Sequence, residues 1–113
     1  MNEHVRTARL ALTGGLDLYR RDEVAAQLPP PGSVDRVLID CRGVDTMDSS
    51  ILTLLMRYRR AFEDAGGNPL EIVVIVTPAV RRLFEVAGVT KVITVVTAPP
   101  LDHVAQNDAP EPA

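Results

Sequence analysis

The 113-residue sequence has one cysteine, two histidines and no long apolar run. Each scarcity excludes something. A membrane span needs about 18 consecutive apolar residues, and nothing here approaches that. The opening stretch MNEHVRTARL also lacks the apolar region of a signal peptide. Cys41 has no partner for an internal disulfide, which fits a reducing cytosol and reads as a buried, inert thiol. Basic charge is not in excess either. The net charge is −3, so no nucleic-acid surface is expected. Arg57, Arg59 and Arg60 do cluster, but Glu63 and Asp64 follow at once, the pattern of a mixed solvated face. His4 and His103 lie near the two ends, so no general base stands beside a nucleophile and no set of metal ligands is gathered. Gly14-Gly15 lacks the spacing of a phosphate-binding glycine motif. These absences predict no enzyme, no cofactor, no metal and no direct membrane contact. No internal repeat is present.

With 46% hydrophobic residues the chain can bury a modest single core. Residues 1–5 read as a flexible start. From Arg6 to Thr13 the pattern alternates, with Ala8, Leu10 and Leu12 on one face, a half-buried strand that Gly14-Gly15 should break. A helix is expected over Leu16–Leu28, starting near Asp17, and Pro29-Pro30-Pro31-Gly32 ends it. Val37-Leu38-Ile39 is a buried strand closing on Asp40, followed by a loop from Cys41 to Met47. A second helix then runs to Gly66-Gly67. Leu70–Val76 reads as an interior strand buried on both faces. Thr77-Pro78 starts a third helix with the stripe Val80, Leu83, Phe84 and Ala87, and Gly88 stops it. Lys91–Val96 is a last strand. Residues 98–113 form a proline- and alanine-rich tail, mostly disordered, with room for one helical turn around Leu101–Gln106. Alternating strands and helices predict an α/β domain over residues 6–97. Its sheet would be about four-stranded, largely parallel or mixed, with three to four helices.

The stretch from Arg36 to Phe62 carries the functional signal. Asp48-Ser49-Ser50 is N-cap chemistry set directly before a helical stripe of Ile51, Leu54, Leu55, Tyr58 and Phe62. At about 100° per residue, Ser49, Thr53, Met56 and Arg60 fall on the opposite side, with Leu52 on the flank. Leu52 and Met56, one turn apart beside a serine, read as a docking surface; the alternative is that a neighbouring element covers them. Strand ends in such sheets collect sites, which should bring Asp17, Asp48 and Ser49 onto one rim.

The segment LIDCRGVDTMDSSILTLLMRYRRAFEDAGG, with TPAVRRLFEVAGV after it, resembles the STAS domain of anti-sigma factor antagonists. That family shows a strand ending in aspartate, a D-S-S/T-G motif opening a helix, and a later P-x-V-x-R/K-x-L/F helix. Upstream, the GGLD of Gly14–Asp17 is similar to the family's G-E-L-D, with Gly15 in place of the acid. The resemblance covers about Leu10 to Val96. It implies phosphorylation of Ser49 by a cognate anti-sigma factor that is also a serine kinase. The unphosphorylated form would bind that partner and free a sigma factor; the phosphorylated form would not. Asp17, Asp48, Ser50, Leu52, Thr53, Met56 and Arg60 are the partner-binding candidates. Ile51 stands where the motif has glycine, and its place on the apolar stripe predicts a buried side chain. Both ends are shorter than the family's usual additional strand and longer last helix. The same resemblance admits a STAS module held constitutively in a larger assembly, a lipid-transporter subunit or a stress-signalling scaffold.

Overall fold

The computed structural model describes residues 5–66 and 69–100. Gly67, most of the expected flexible start, and the possible helical turn at Leu101–Gln106 lie outside them. The elements run β1 (Thr7–Leu16), a 3-10 turn (Leu18–Arg20), α1 (Arg21–Gln27), β2 (Arg36–Met47) and α2 (Ser49–Asp64). Then come β3 (Glu71–Val76), α3 (Pro78–Ala87), a second 3-10 turn (Val89–Lys91) and β4 (Thr94–Thr97). All strand pairs are parallel, in the spatial order β1-β2-β3-β4.

That order never reverses, and right-handed crossovers therefore place every helix on the same side of the sheet. One core results. Leu10, Leu12, Val37, Ile39, Ile72 and Val74 from the strands meet Val24, Ile51, Leu55, Phe62, Val80 and Phe84 from the helices. The other sheet face stays uncovered among the described residues. It carries the rows Arg9–Leu38–Val73–Thr94 and Ala11–Asp40–Ile75–Val96. β3 is therefore interior by position, but only Ile72, Val74 and Val76 are fully buried, while Val73 and Ile75 are half-buried. The expectation of burial on both faces fails because, among the described residues, no layer packs on the second.

Two strands are longer than the sequence predicts. β1 continues through Gly14-Gly15, and β2 passes Asp40 to end at Met47. The pairing survives by slipping, with register shifts between Ala11 and Thr13 and between Gly14 and Gly15. Gly14 takes φ 81°, a backbone state that only glycine adopts without strain. At Gly43 the two strands come so close that a Cβ would stand 2.9 Å from Thr13 Cγ2. The glycines act as bulge residues and do not end the strand. The Arg20 guanidinium ties this end down, donating to the carbonyls of Thr13 at 2.6 Å and Gly15 at 3.1 Å. Near the opposite end, the Arg6 guanidinium binds Asp35 and holds its carboxylate below the usual range.

Candidate functional site: the start of α2 and its groove

β2 hands over to α2 at Asp48, whose extended backbone (φ −93°, ψ 152°) makes it the N-cap. Its carboxylate accepts from Ser50 N–H at 2.8 Å, satisfying one of the free donors of the first turn. The backbone N–H of Asp48 donates to Leu16 C=O at 2.8 Å, joining the end of β1 to the start of α2. Asp17 follows Leu16 and caps the 3-10 turn, accepting from Tyr19 N–H at 3.0 Å. Asp17, Asp48 and Ser49 thus share the carboxyl rim of the sheet, as the sequence predicts. Tyr19, on the same rim, is 91% exposed.

The two serines of the motif differ sharply. Ser49 is the exposed first residue of α2. The Ser50 Oγ is buried and has no hydrogen-bond partner. A hydroxyl shut inside the fold is not open to an enzyme; the Ser49 hydroxyl is. Thr53, one turn on and exposed, donates from Oγ1 to Ser49 C=O at 3.3 Å. Ile51 is 1% exposed and packs in the core, where the apolar stripe places it. Its side chain leads away from Ser49 and leaves the outer surface of the corner clear.

Leu52 corrects the helical wheel. It is 3% exposed, and Met56 is half-buried against the core. Neither is the free apolar knob expected of a docking surface. The reason is tertiary, since α2 is flanked by α1 on one side and α3 on the other. Its buried arc is therefore wider than one stripe. Leu52 and Met56 instead line a groove of about 440 Å³, closed on its far side by Ala87 of α3 and Val89. Ser49 and Thr53 stand at one end of this groove, and Arg57, Arg59 and Arg60 edge the rest.

Of the sequence candidates, the groove brings together Ser49, Leu52, Thr53, Met56 and Arg60, while Asp17, Asp48 and Ser50 stay at the rim or beneath it. Arg57, Arg59, Ala87 and Val89 were missed. Arg57 continues the spacing Ser49, Thr53, Arg57 and was legible as a face. Ala87 and Val89 give no local signal, because their place depends on how α3 crosses α2. Tyr58 fixes that helix from the side, donating its hydroxyl to Pro29 C=O and meeting Phe62 edge-on at 5.0 Å between ring centres. Burial pushes the Tyr58 phenol up to about 12.

Other chemistry is limited. Cys41 is buried in the core, and burial, with the neighbouring Asp40 charge, pushes its thiol up to about 12. Such a thiol is a poor nucleophile near neutral pH. Among the described residues no cluster of potential ligands could hold a metal, and no helix is long and apolar enough to cross a membrane.

Known proteins align with this arrangement. A solved structure titled "Structure of the Anti-Sigma Factor Antagonist SpoIIAA in its Unphosphorylated Form" superposes with a TM-score of 0.64 at 20% identity. The match covers 95% of this chain and 94% of that one. At that identity the likeness is one of fold. The sequence itself matches the family described as "Mlab, STAS domain" over residues 1–97. With the parallel sheet, the capped α2 and the family match in agreement, this chain belongs to the STAS domain family.

Proposed function

We propose that the protein is an anti-sigma factor antagonist, a non-catalytic cytoplasmic module that binds an anti-sigma factor with serine kinase activity and so frees a sigma factor. Phosphorylation of Ser49 switches it off. The observation that carries this reading is the contrast at the motif, with Ser49 exposed at the mouth of a groove and the Ser50 Oγ sealed beneath it.

The physics of a phosphate at Ser49 suits a switch acting on the interface and not on the fold. The group adds about −1.5 to −2 charge at neutral pH. At the N-terminus of α2 that charge is favoured by about 0.3 to 1 kcal/mol, with Asp48 opposing it. The domain therefore stays folded. A partner surface shaped for a hydroxyl must instead desolvate a dianion, at a cost of several kcal/mol.

Phosphosite mapping of protein from its native host tests the switch, together with capture of the partner by wild type, Ser49→Ala and Ser49→Glu. Phosphate on Ser49 is expected, with the partner retained by Ser49→Ala and lost by Ser49→Glu. Phosphate on Ser50 alone, or on neither serine, overturns the reading. The sheet face left uncovered among the described residues, with half-buried Leu38, Val73 and Ile75, favours a second reading as a constitutive STAS module in a larger assembly. Capture of one stable complex by all three proteins would support that alternative.

A further inference from the structure

The groove beside Ser49 has a charge of its own. Arg57, Arg59 and Arg60 edge it against one carboxylate, Glu63, which is already bonded to Arg59 at 3.1 Å. Three positive groups against one negative leave the groove locally positive on a chain whose net charge is −3. Among the described residues, Arg57 and Arg60 form no ion pair, and the Nε of Arg59 is buried without an acceptor. Between these groups lies an apolar floor of Leu52, Met56 and Val89. Arg57 and Arg60 are exposed and offer free donors beside a recessed apolar strip, while the buried Nε of Arg59 does not reach the surface.

We propose that this groove receives an acidic amphipathic segment of a protein partner, its apolar side chains on Leu52 and Met56 and its carboxylates on Arg57 and Arg60. The proposal rests on the Ser49 switch and gives that switch an electrostatic basis. Ser49 lines the same groove, so its phosphate adds about −1.5 to −2 charge to a local balance of about two positive ones. An acidic occupant then loses the attraction that draws it in. An anionic bilayer suits the surface less well. The chain as a whole repels it, and the apolar floor is recessed between helices, where side chains carried on a backbone can reach and a flat surface cannot. Guanidinium groups also favour paired, planar contact with carboxylates.

The test uses the full chain and a fluorescent peptide of about 14 residues, about four helical turns when folded onto the groove. The peptide carries Leu at i, i+3, i+4 and i+7 and Glu at most other positions, and a matched peptide has Lys for Glu. Fluorescence anisotropy should show saturable binding of the Glu peptide only. Binding should weaken about tenfold in the double variant Arg57→Glu/Arg60→Glu and by a smaller factor in Arg57→Gln/Arg60→Gln. High salt should weaken it further, and so should Ser49→Glu. Both Arg positions are exposed, so circular dichroism should show the variants folded. Equal binding of the Lys peptide overturns the proposal. So does an unchanged charge-reversed variant, or no binding of the Glu peptide while phosphatidylglycerol vesicles bind. A homodimer in sedimentation that those variants dissociate also overturns it, since a second copy would then fill the groove. These arms read the charge of the occupant and leave the Ser49 phosphosite to be judged by mapping. A failed charge test leaves the Ser49 switch standing, so the two failures are distinguishable.

Discussion

The chain turns from strand to helix twice in the same way, after β2 and after β3, and the two corners differ in what they leave outside. Each N-cap is extended, with φ −93° and ψ 152° at Asp48 and φ −77° and ψ 163° at Thr77. Asp48 is exposed and caps through its carboxylate. Thr77 is 7% exposed and makes no side-chain cap bond, and Pro78 behind it has no N–H to satisfy. The β3–α3 corner is closed by proline and a buried cap residue. At β2–α2 a side chain does the capping and a serine stands at the first helical position. Two similar backbones thus present different surfaces, and the difference lies in which side chains meet solvent.

The strongest way to break the comparison is from beneath the open corner. Ile51→Gly removes a side chain that is 1% exposed, at a cost of about 2 to 5 kcal/mol by analogy with Ile→Ala. Glycine in the helix adds up to about 1 kcal/mol. The denaturant midpoint should fall accordingly, while modification of Ser49 in the remaining folded protein persists. A stable variant that is phosphorylated faster would show that Ile51 guards the corner from outside.

The caps themselves give the next effect. Asp48→Ala should cost about 1 kcal/mol, as lost N-caps do. Thr77→Val keeps the shape and removes a hydroxyl that caps nothing, and should stay within about 0.5 kcal/mol of wild type. Urea midpoints of the two variants compare the corners directly, and equal losses would erase the distinction.

Ser50→Ala sharpens it further. Removing a buried hydroxyl without a partner should leave stability unchanged or raise it by up to about 1 kcal/mol, with Ser49 still available to a kinase. A clear loss in thermal midpoint would mean that the Ser50 hydroxyl has a partner after all.

The smallest effect lies away from both corners. Arg42 bonds the Asp40 carboxylate and holds it below its usual range. The folded-state value is depressed, so this contribution is present above the ordinary aspartate range and fades as pH falls through the lower value. With both groups partly exposed, it should be under about 1 kcal/mol. Asp40→Asn should flatten the acid limb of a stability-against-pH curve, and an unchanged limb would remove Asp40 from the account.

What the sequence made legible was local. The start of α3 at Pro78, its stripe of Val80 and Phe84 and its stop at Gly88 depend on neighbours a few residues away, and each lies where the pattern puts it. The Asp48 cap and the burial of Ile51 were legible for the same reason. The stretch Cys41–Met47 was not, because it is a strand only by pairing across the bulges with β1. Leu52 was misplaced, and Ala87 and Val89 were missed, because a wheel drawn for one helix contains nothing of the helix beside it. The first helix divides into a 3-10 turn and α1 where Asp17 caps the turn, with Leu16 already spent on β1.

The unreversed strand order has a further consequence, for how the molecule is made. Each strand pairs with its immediate neighbours in sequence, β1 with β2, β2 with β3 and β3 with β4. Each pairing still spans a whole crossover, as in Thr7 with Arg36, Val37 with Ile72 and Val73 with Thr94. Parallel pairing of this kind is slow to form, but a chain leaving the ribosome from its N-terminus can lay down β1-α1-β2 and then extend that seed one strand at a time. Opening should follow the reverse path. β4 has four residues and one neighbour in the sheet, so its amides should exchange with solvent first, and those of β2, paired on both sides, last.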